Sequence, residues 1–188
     1  MSNAVSALQG ATSKGFAQVT EAGLRGMVTL RGDLASPKLK KAVKSVTGVS
    51  VPSPRECSSA GDKAVAWMSP DEVLVMVPYA DVVDATVRLA KALEGEHALV
   101  VNVSDARAVF TLEGEGAREV LAKLSPVDLS REAFTTGMFR RTRLAQAAVA
   151  FWLRDDGTFE LVCFRSEAQY VFDVQSMSAK TGSEVGYL

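Results

Sequence analysis

Apolar and polar positions in this chain run through one order of elements twice. Val28-Thr29-Leu30-Arg31-Gly32-Asp33 is an alternating strand that closes on a glycine and an acid before a helical stretch. Val109-Phe110-Thr111-Leu112-Glu113-Gly114-Glu115 opens a second copy in the same way, with Gly114 lying 82 positions after Gly32. In the first copy Ser36-Pro37 predicts a helix start, Leu39, Ala42, Val43 and Val46 recur at helical spacing, and Gly48 supplies the stop. Pro52, Pro54 and Gly61 make Val51–Asp62 a loop. Residues 64–68 and 72–77 read as a hairpin around Ser69-Pro70-Asp71. A helix over Asp81–Leu93 follows, with Val82, Ala85, Val87 or Thr86, Leu89 and Leu93 facing inward. Ala98–Val103 is a near-continuous apolar run of the kind buried on both faces.

The second copy predicts a strand over 107–112, a helix over 116–124 and a linker holding Pro126 and Gly137. A long strand near 141–153 turns at Asp155-Asp156-Gly157 into a strand over 158–164, and a helix covers 167–179. Ala150-Phe151-Trp152-Leu153 is the echo of Val65-Ala66-Trp67-Met68. A period of 82 residues is too long for a stacked solenoid unit, so the pattern is a duplicated half-domain. The fold class is α+β, with two ferredoxin-like β-α-β-β-α-β halves. The expected division is a flexible arm over 1–24, a first half over 25–104 and a second over 105–188, forming one compact unit overall. Such halves cover one sheet face with helices, and pairing them would lid the other. Trp67, Phe151 and Trp152 are therefore expected in the core or between the lobes.

Composition narrows the picture by exclusion. Apolar residues make up 47% of the 188 positions, enough for a real core. A net charge of −1 gives no long-range attraction for nucleic acid or an anionic membrane. Runs such as Ala98–Val101 and Ala147–Leu153 fall far short of the ~20 residues a spanning helix needs. Residues 1–24 show no period, no basic start and no apolar block, hence the expectation of an arm rather than a signal peptide. Cys57 and Cys163, two unclustered thiols, fit a reducing cytoplasm.

No catalytic constellation emerges. The single histidine, His97, precedes a buried-looking strand and reads as structural. Ser, Cys and metal-ligand motifs lack their partners, and Gly114-Glu115-Gly116 lacks the third glycine of a dinucleotide turn. Arg140, Arg141 and Arg143 after Phe139 form the densest charge cluster, either a solvated strand start or a docking patch with Phe139 as its apolar anchor.

Six segments together carry a family likeness: Met27–Leu34 (MVTLRGDL), Trp67–Leu74 (WMSPDEVL), Val101–Ala108 (VNVSDARA), Phe110–Leu121, Arg141–Gln146 (RTRLAQ) and Phe164–Tyr170 (FRSEAQY). In this order they resemble the gamma subunit of heterotetrameric sarcosine oxidase. That family is similar in turn to the folate-binding domains of the glycine-cleavage aminomethyltransferase, a likeness carried by Ser104–Leu129. The resemblance implies an accessory chain docked foremost on the alpha subunit, with beta and delta completing the complex. It implies that FAD, FMN, NAD, zinc and tetrahydrofolate are held by those other subunits, and that the complex demethylates sarcosine oxidatively.

The transferases carry an acidic pair after two glycines, where this chain has only Gly61-Asp62. They carry a G-E-x-G-Y-E run where it has Asp156-Gly157-Thr158-Phe159-Glu160. Asp62, Asp156 and Glu160 are thus the remnants of a folate site. Two readings follow: a non-catalytic subunit, or a free-standing folate-dependent protein using those acids. The thinned pattern of acids and glycines favours the subunit.

Overall fold

Strands and helices alternate through the chain as its polarity pattern requires. The computed structural model describes residues 4–188. The strands are β1 (Thr12–Lys14), β2 (Gln18–Glu21), β3 (Arg25–Arg31), β4 (Cys57–Ala60), β5 (Lys63–Ser69), β6 (Glu72–Pro78), β7 (Leu99–Asn102), β8 (Arg107–Glu113), β9 (Phe139–Leu144), β10 (Ala147–Leu153) and β11 (Phe159–Phe164). The helices are α1 (Pro37–Thr47), α2 (Val82–Ala92), α3 (Ala117–Leu124) and α4 (Ala168–Ser178). Residues 25–104 form one compact unit, and 105–188 form the other with the residues that precede Arg25.

In the first unit the sheet order is β4-β5-β6-β3-β7, all antiparallel. Val28, Leu30, Val65, Val73 and Val75 face α1 and α2, whose Leu39, Val43, Val82 and Leu89 complete the core. Each such side chain, fully buried, contributes roughly 1.5–3 kcal/mol. Helix α1 begins where Ser36 Oγ accepts the Leu39 N–H at 3.4 Å, with Pro37 in its first turn. It ends at Gly48, left-handed at φ 79°, whose N–H reaches Lys44 O at 2.8 Å.

The other unit repeats the design with the order β9-β10-β11-β8-β2-β1. Strands β3 and β8 share one burial pattern position by position. Leu30 pairs with Val73 and Leu112 with Phe159. Val73 in turn pairs with Trp67, and Phe159 with Leu153. The two hairpin turns at Ser69–Asp71 and Asp155–Gly157 therefore occupy equivalent places, as do Gly32 and Gly114, each just past its strand. The chain is a duplicated β-α-β-β-α motif. One detail of the expected echo shifts by a residue: Trp67 corresponds to Leu153 and Trp152 to Ala66. Trp67 is half-buried, Phe151 joins the helix-side core, and Trp152 is buried on the opposite sheet face against Phe139, ring centroids 6.1 Å apart.

Several expectations are corrected. The second half closes with no strand after α4; the place beside β8 that β7 holds beside β3 is taken by β2. The arm over 1–24 is thus built into the sheet from Thr12 to Glu21, because β8 needs a partner on that edge. The apolar run at 98–103 is an edge strand, with Leu99 52% and Val101 40% exposed. Val87 is exposed while Thr86 is half-buried. The long strand near 141–153 is two strands folded back at Ala145, which takes a left-handed φ of 50° without glycine to signal it. The loop over 51–62 contains β4.

The N-terminal segment is pinned by close packing. Phe16 N–H donates to Ala179 O at 2.9 Å, and a Cβ on Gly15 would lie only 1.8 Å from that same oxygen. Buried Glu21 accepts from Ser6 Oγ at 2.9 Å and from the Gly10 N–H at 2.8 Å. At the other terminus, Glu119 on α3 accepts the Val185 and Gly186 N–H groups at 2.6 and 3.0 Å. Those backbone donors, Val185 foremost, hold its carboxyl below the usual range.

Two outcomes follow. Gly15→Ala, which must push backbone from backbone, lowers stability by about 1–3 kcal/mol, read as a shift in the urea midpoint; an unchanged midpoint would mean residues 12–21 are not docked. Neither cysteine is in a disulfide and both are buried. Burial, reinforced by Glu167, pushes the Cys163 thiol up to about 12 from its ordinary 9.0. The folded thiol therefore stays neutral where the unfolded one ionises, and this contribution to stability falls as pH climbs from about 9 toward 12. Iodoacetamide at pH 8.5 labels Cys163 only after denaturation; labelling of the folded chain would contradict the burial.

Candidate functional site

The strand-to-helix turn after β8 opens a cleft of about 530 Å³ in the 105–188 unit. Gly114, at φ 100°, bends the chain out of the strand, and α3 begins three residues later. Glu113, Arg118, Arg131, Asp156, Thr158 and Phe159 supply its character. Arg118 lies over the Phe159 ring at 5.4 Å and donates to Leu129 O at 2.8 Å. Burial, and then the neighbouring charge of Arg131, push its pKa down. Neither arginine carries a sequence signal beyond its place: Arg118 sits in the first turn of α3, Arg131 in the loop beyond it.

Asp156, exposed at the hairpin tip, is occupied by its own turn. Its Oδ1 accepts the Thr158 N–H at 3.0 Å and its Oδ2 lies 3.1 Å from Arg154. The Thr158 N–H is the main cause of its lowered pKa, with the Arg154 charge a smaller one. Glu160 sits four residues on in β11 but on the other face: Phe159 and Leu161 enter the helix-side core, while Glu160 is buried in the row between Trp152 and Thr111. Asp62 lies exposed in the β4–β5 turn of the 25–104 unit. The structure thus gives the three acids three different settings, a hairpin tip, a sheet interior and a separate turn.

The repeat places a second cleft, of about 730 Å³, at the matching end of the 25–104 unit, bordered by Arg31, Asp33, Asp71, His97 and Leu99. Arg31 and Asp71 pair across it at 2.7 Å. Asp71 is held below the usual carboxylate range by Ser69 first and Arg31 second. Both partners are about half exposed, so the pair adds little to stability. His97 is exposed in the loop just before β7, as its position in the sequence suggested, but the strand it precedes is a sheet edge and not buried. Among the described residues, no group of three or more His, Cys, Asp or Glu is placed to hold a metal ion.

The docking candidates all fall on β9, one of the two edge strands of its sheet. Phe139 is 1% exposed and stacked on Trp152, so it is a core residue and not the exposed anchor expected of it. Arg140 is half-buried over the Phe134 ring at 5.5 Å and donates to Phe139 O. Arg141 and Arg143 are exposed, and Arg143 donates to the Gln146 side chain at 3.2 Å. Strand alternation puts Arg140 on one face and Arg141 with Arg143 on the other.

Comparison with known proteins bears on the family and the fold. A chain of the heterotetrameric sarcosine oxidase from Corynebacterium sp. U-96, in complex with pyrrole 2-carboxylate, superposes with a TM-score of 0.78 at 26% identity, covering 93% of this chain and 91% of that one. Aminomethyltransferase T of the glycine cleavage system from Bartonella henselae shares the fold, with a TM-score of 0.61 at 12% identity over 84% of this chain and 44% of its own. The sarcosine oxidase subunit gamma of Corynebacterium sp. strain U-96 is 29% identical over 179 residues, 93% of this chain and 82% of that protein. The subunit gamma of an Arthrobacter species is 36% identical over 94 residues, half of this chain; the chain spans about 45% of that relative's length. Residues 31–180 match the pattern of the sarcosine oxidase, gamma subunit family, and the chain belongs to that family.

Proposed function

We propose that this chain is a non-catalytic, accessory gamma-type subunit of a cytoplasmic, heterotetrameric sarcosine oxidase. It docks foremost on an alpha-type subunit, with beta- and delta-type chains completing the assembly. In this reading the oxidative demethylation of sarcosine, the flavins, NAD, zinc and tetrahydrofolate all belong to the other subunits. The observation that carries it is the use already made of the three folate-type acids. Asp156 is occupied by the Thr158 N–H and Arg154, Glu160 is enclosed in the sheet between Trp152 and Thr111, and Asp62 lies in a turn of the other unit. A binding pocket needs polar groups converging on one ligand; within the 105–188 unit Asp156 is engaged at an exposed turn while Glu160 is buried in the sheet.

Arg141 and Arg143 supply a cationic rim on β9 suited to an acidic partner surface, while Phe139, packed on Trp152, and Arg140, on the other face over Phe134, serve the fold.

Two experiments test the reading. Coexpressed with the other oxidase subunits of its host, the chain copurifies with them; alone, given sarcosine and an electron acceptor, it releases no formaldehyde and its tryptophan fluorescence does not respond to reduced folate. Folate binding by the isolated chain that Asp156→Asn abolishes would replace the accessory reading with a folate-dependent one. Arg141→Glu together with Arg143→Glu leaves the fold intact, slows association with the alpha-type subunit and makes it more sensitive to salt. Equal association rates for wild type and variant at two salt concentrations would remove this rim from the interface.

A further inference from the structure

The repeat reveals one strand position that the chain fills in one half and leaves open in the other. Beside the central strand β8 lies β2, and beyond β2 lies β1, paired through Thr12 with Thr20, Ser13 with Val19 and Lys14 with Gln18. Beside the equivalent strand β3 lies β7, and there the sheet stops. The registers make the correspondence explicit. Gln18 pairs with Glu113 and Leu99 with Arg31; Val19 pairs with Leu112 and Val100 with Leu30; Thr20 pairs with Thr111 and Val101 with Thr29. With Glu113, Leu112 and Thr111 matching Arg31, Leu30 and Thr29, the segment Leu99–Val101 is the counterpart of Gln18–Thr20.

The side chains differ in an informative way. Where the chain supplies its own outer strand, the residues flanking Val19 are Gln18 and Thr20, both polar and half-buried. Where it supplies none, the residues flanking Val100 are Leu99 and Val101, apolar and 52% and 40% exposed. The edge is short, at four residues, but it carries no lysine, proline or bulge within Leu99–Asn102, other devices that keep a sheet edge from pairing. Its backbone is also presented for pairing. The Val103 N–H donates inward to Met27 O at 2.8 Å. By the alternation of an antiparallel ladder, Leu99 and Val101 direct their backbone groups toward β3, and Val100 and Asn102 direct theirs outward.

We infer that the outer edge of β7 receives an extended segment of a partner subunit, added antiparallel in the place β1 occupies in the other half, with apolar side chains laid against Leu99 and Val101. The inference rests on the accessory-subunit reading for the existence of a partner. The internal repeat supplies the form of the occupant: about three residues, opposite Leu99–Val101. Main-chain bonds to Val100 and Asn102 give affinity, and the apolar contacts give selectivity.

Hydrogen–deuterium exchange on the isolated chain and on the assembled oxidase reads the edge directly. The Val100 and Asn102 amides exchange quickly in the isolated chain and become protected in the complex. Leu99→Lys with Val101→Lys changes only exposed side chains, so the isolated chain keeps its circular dichroism and urea midpoint while its affinity for the other subunits drops at least about tenfold. A complex that forms with both amides unprotected and the double variant bound as tightly as wild type overturns the edge proposal and leaves the accessory reading standing. No assembly at all with the host's oxidase subunits overturns both. Protection that appears in the isolated chain, together with a dimer by sedimentation, gives the edge to a second copy and overturns the partner assignment.

Discussion

Backbone hydrogen bonding on both sides of a central strand is the constraint on which each half of this protein depends. Strands β3 and β8 sit inside their sheets, so every N–H and C=O along them must find a partner on one edge or the other. One edge is always served by the strand of the following hairpin, β6 or β11. The other is served by whatever segment the chain can bring. In the 25–104 unit that segment follows α2; in the other it comes from before the first repeat, as β2. Burial then adds its own demand, since Val28 and Leu30, like Phe110 and Leu112, are fully enclosed and require helices above them.

Once β2 is recruited, the rest of the N-terminal segment is drawn in with it. Gly15 passes so close to Ala179 that no side chain fits, Phe16 lies against Gly116, and Lys123 covers the Phe16 ring at 4.7 Å. These contacts tie the region before the first repeat to α3 and to the end of α4. Residues that carry no periodicity of their own are ordered by the strand they must complete.

The clefts show how little chemistry the duplication brings with it. Both arise where a strand turns into a helix past a glycine; at one Arg31 pairs with Asp71, and at the other Asp156 closes its own hairpin turn. The surfaces proposed for this chain are of two kinds, a cationic rim at β9 that would steer by charge and an apolar edge at β7 that would pair by backbone.

Local pattern determined a good deal without coordinates. Alternation in Val28–Arg31 and Val109–Glu113, the Ser36-Pro37 start and Gly48 stop of α1, and the turns at Ser69–Asp71 and Asp155–Gly157 are dictated by neighbours in the sequence, so they were legible there. The scarcity of glycines around Asp62 and Asp156 was equally plain. Tertiary structure alone decided what depends on distant partners. An apolar run such as Leu99–Val101 looks the same at a sheet's centre or its edge, and only strand order separates the two. Phe139 beside three arginines suggested an exposed anchor, until pairing with Trp152 placed it inside. Gln18–Glu21 has no signature of its own, because its reason to be a strand is the vacant edge of β8, some ninety residues away in the chain.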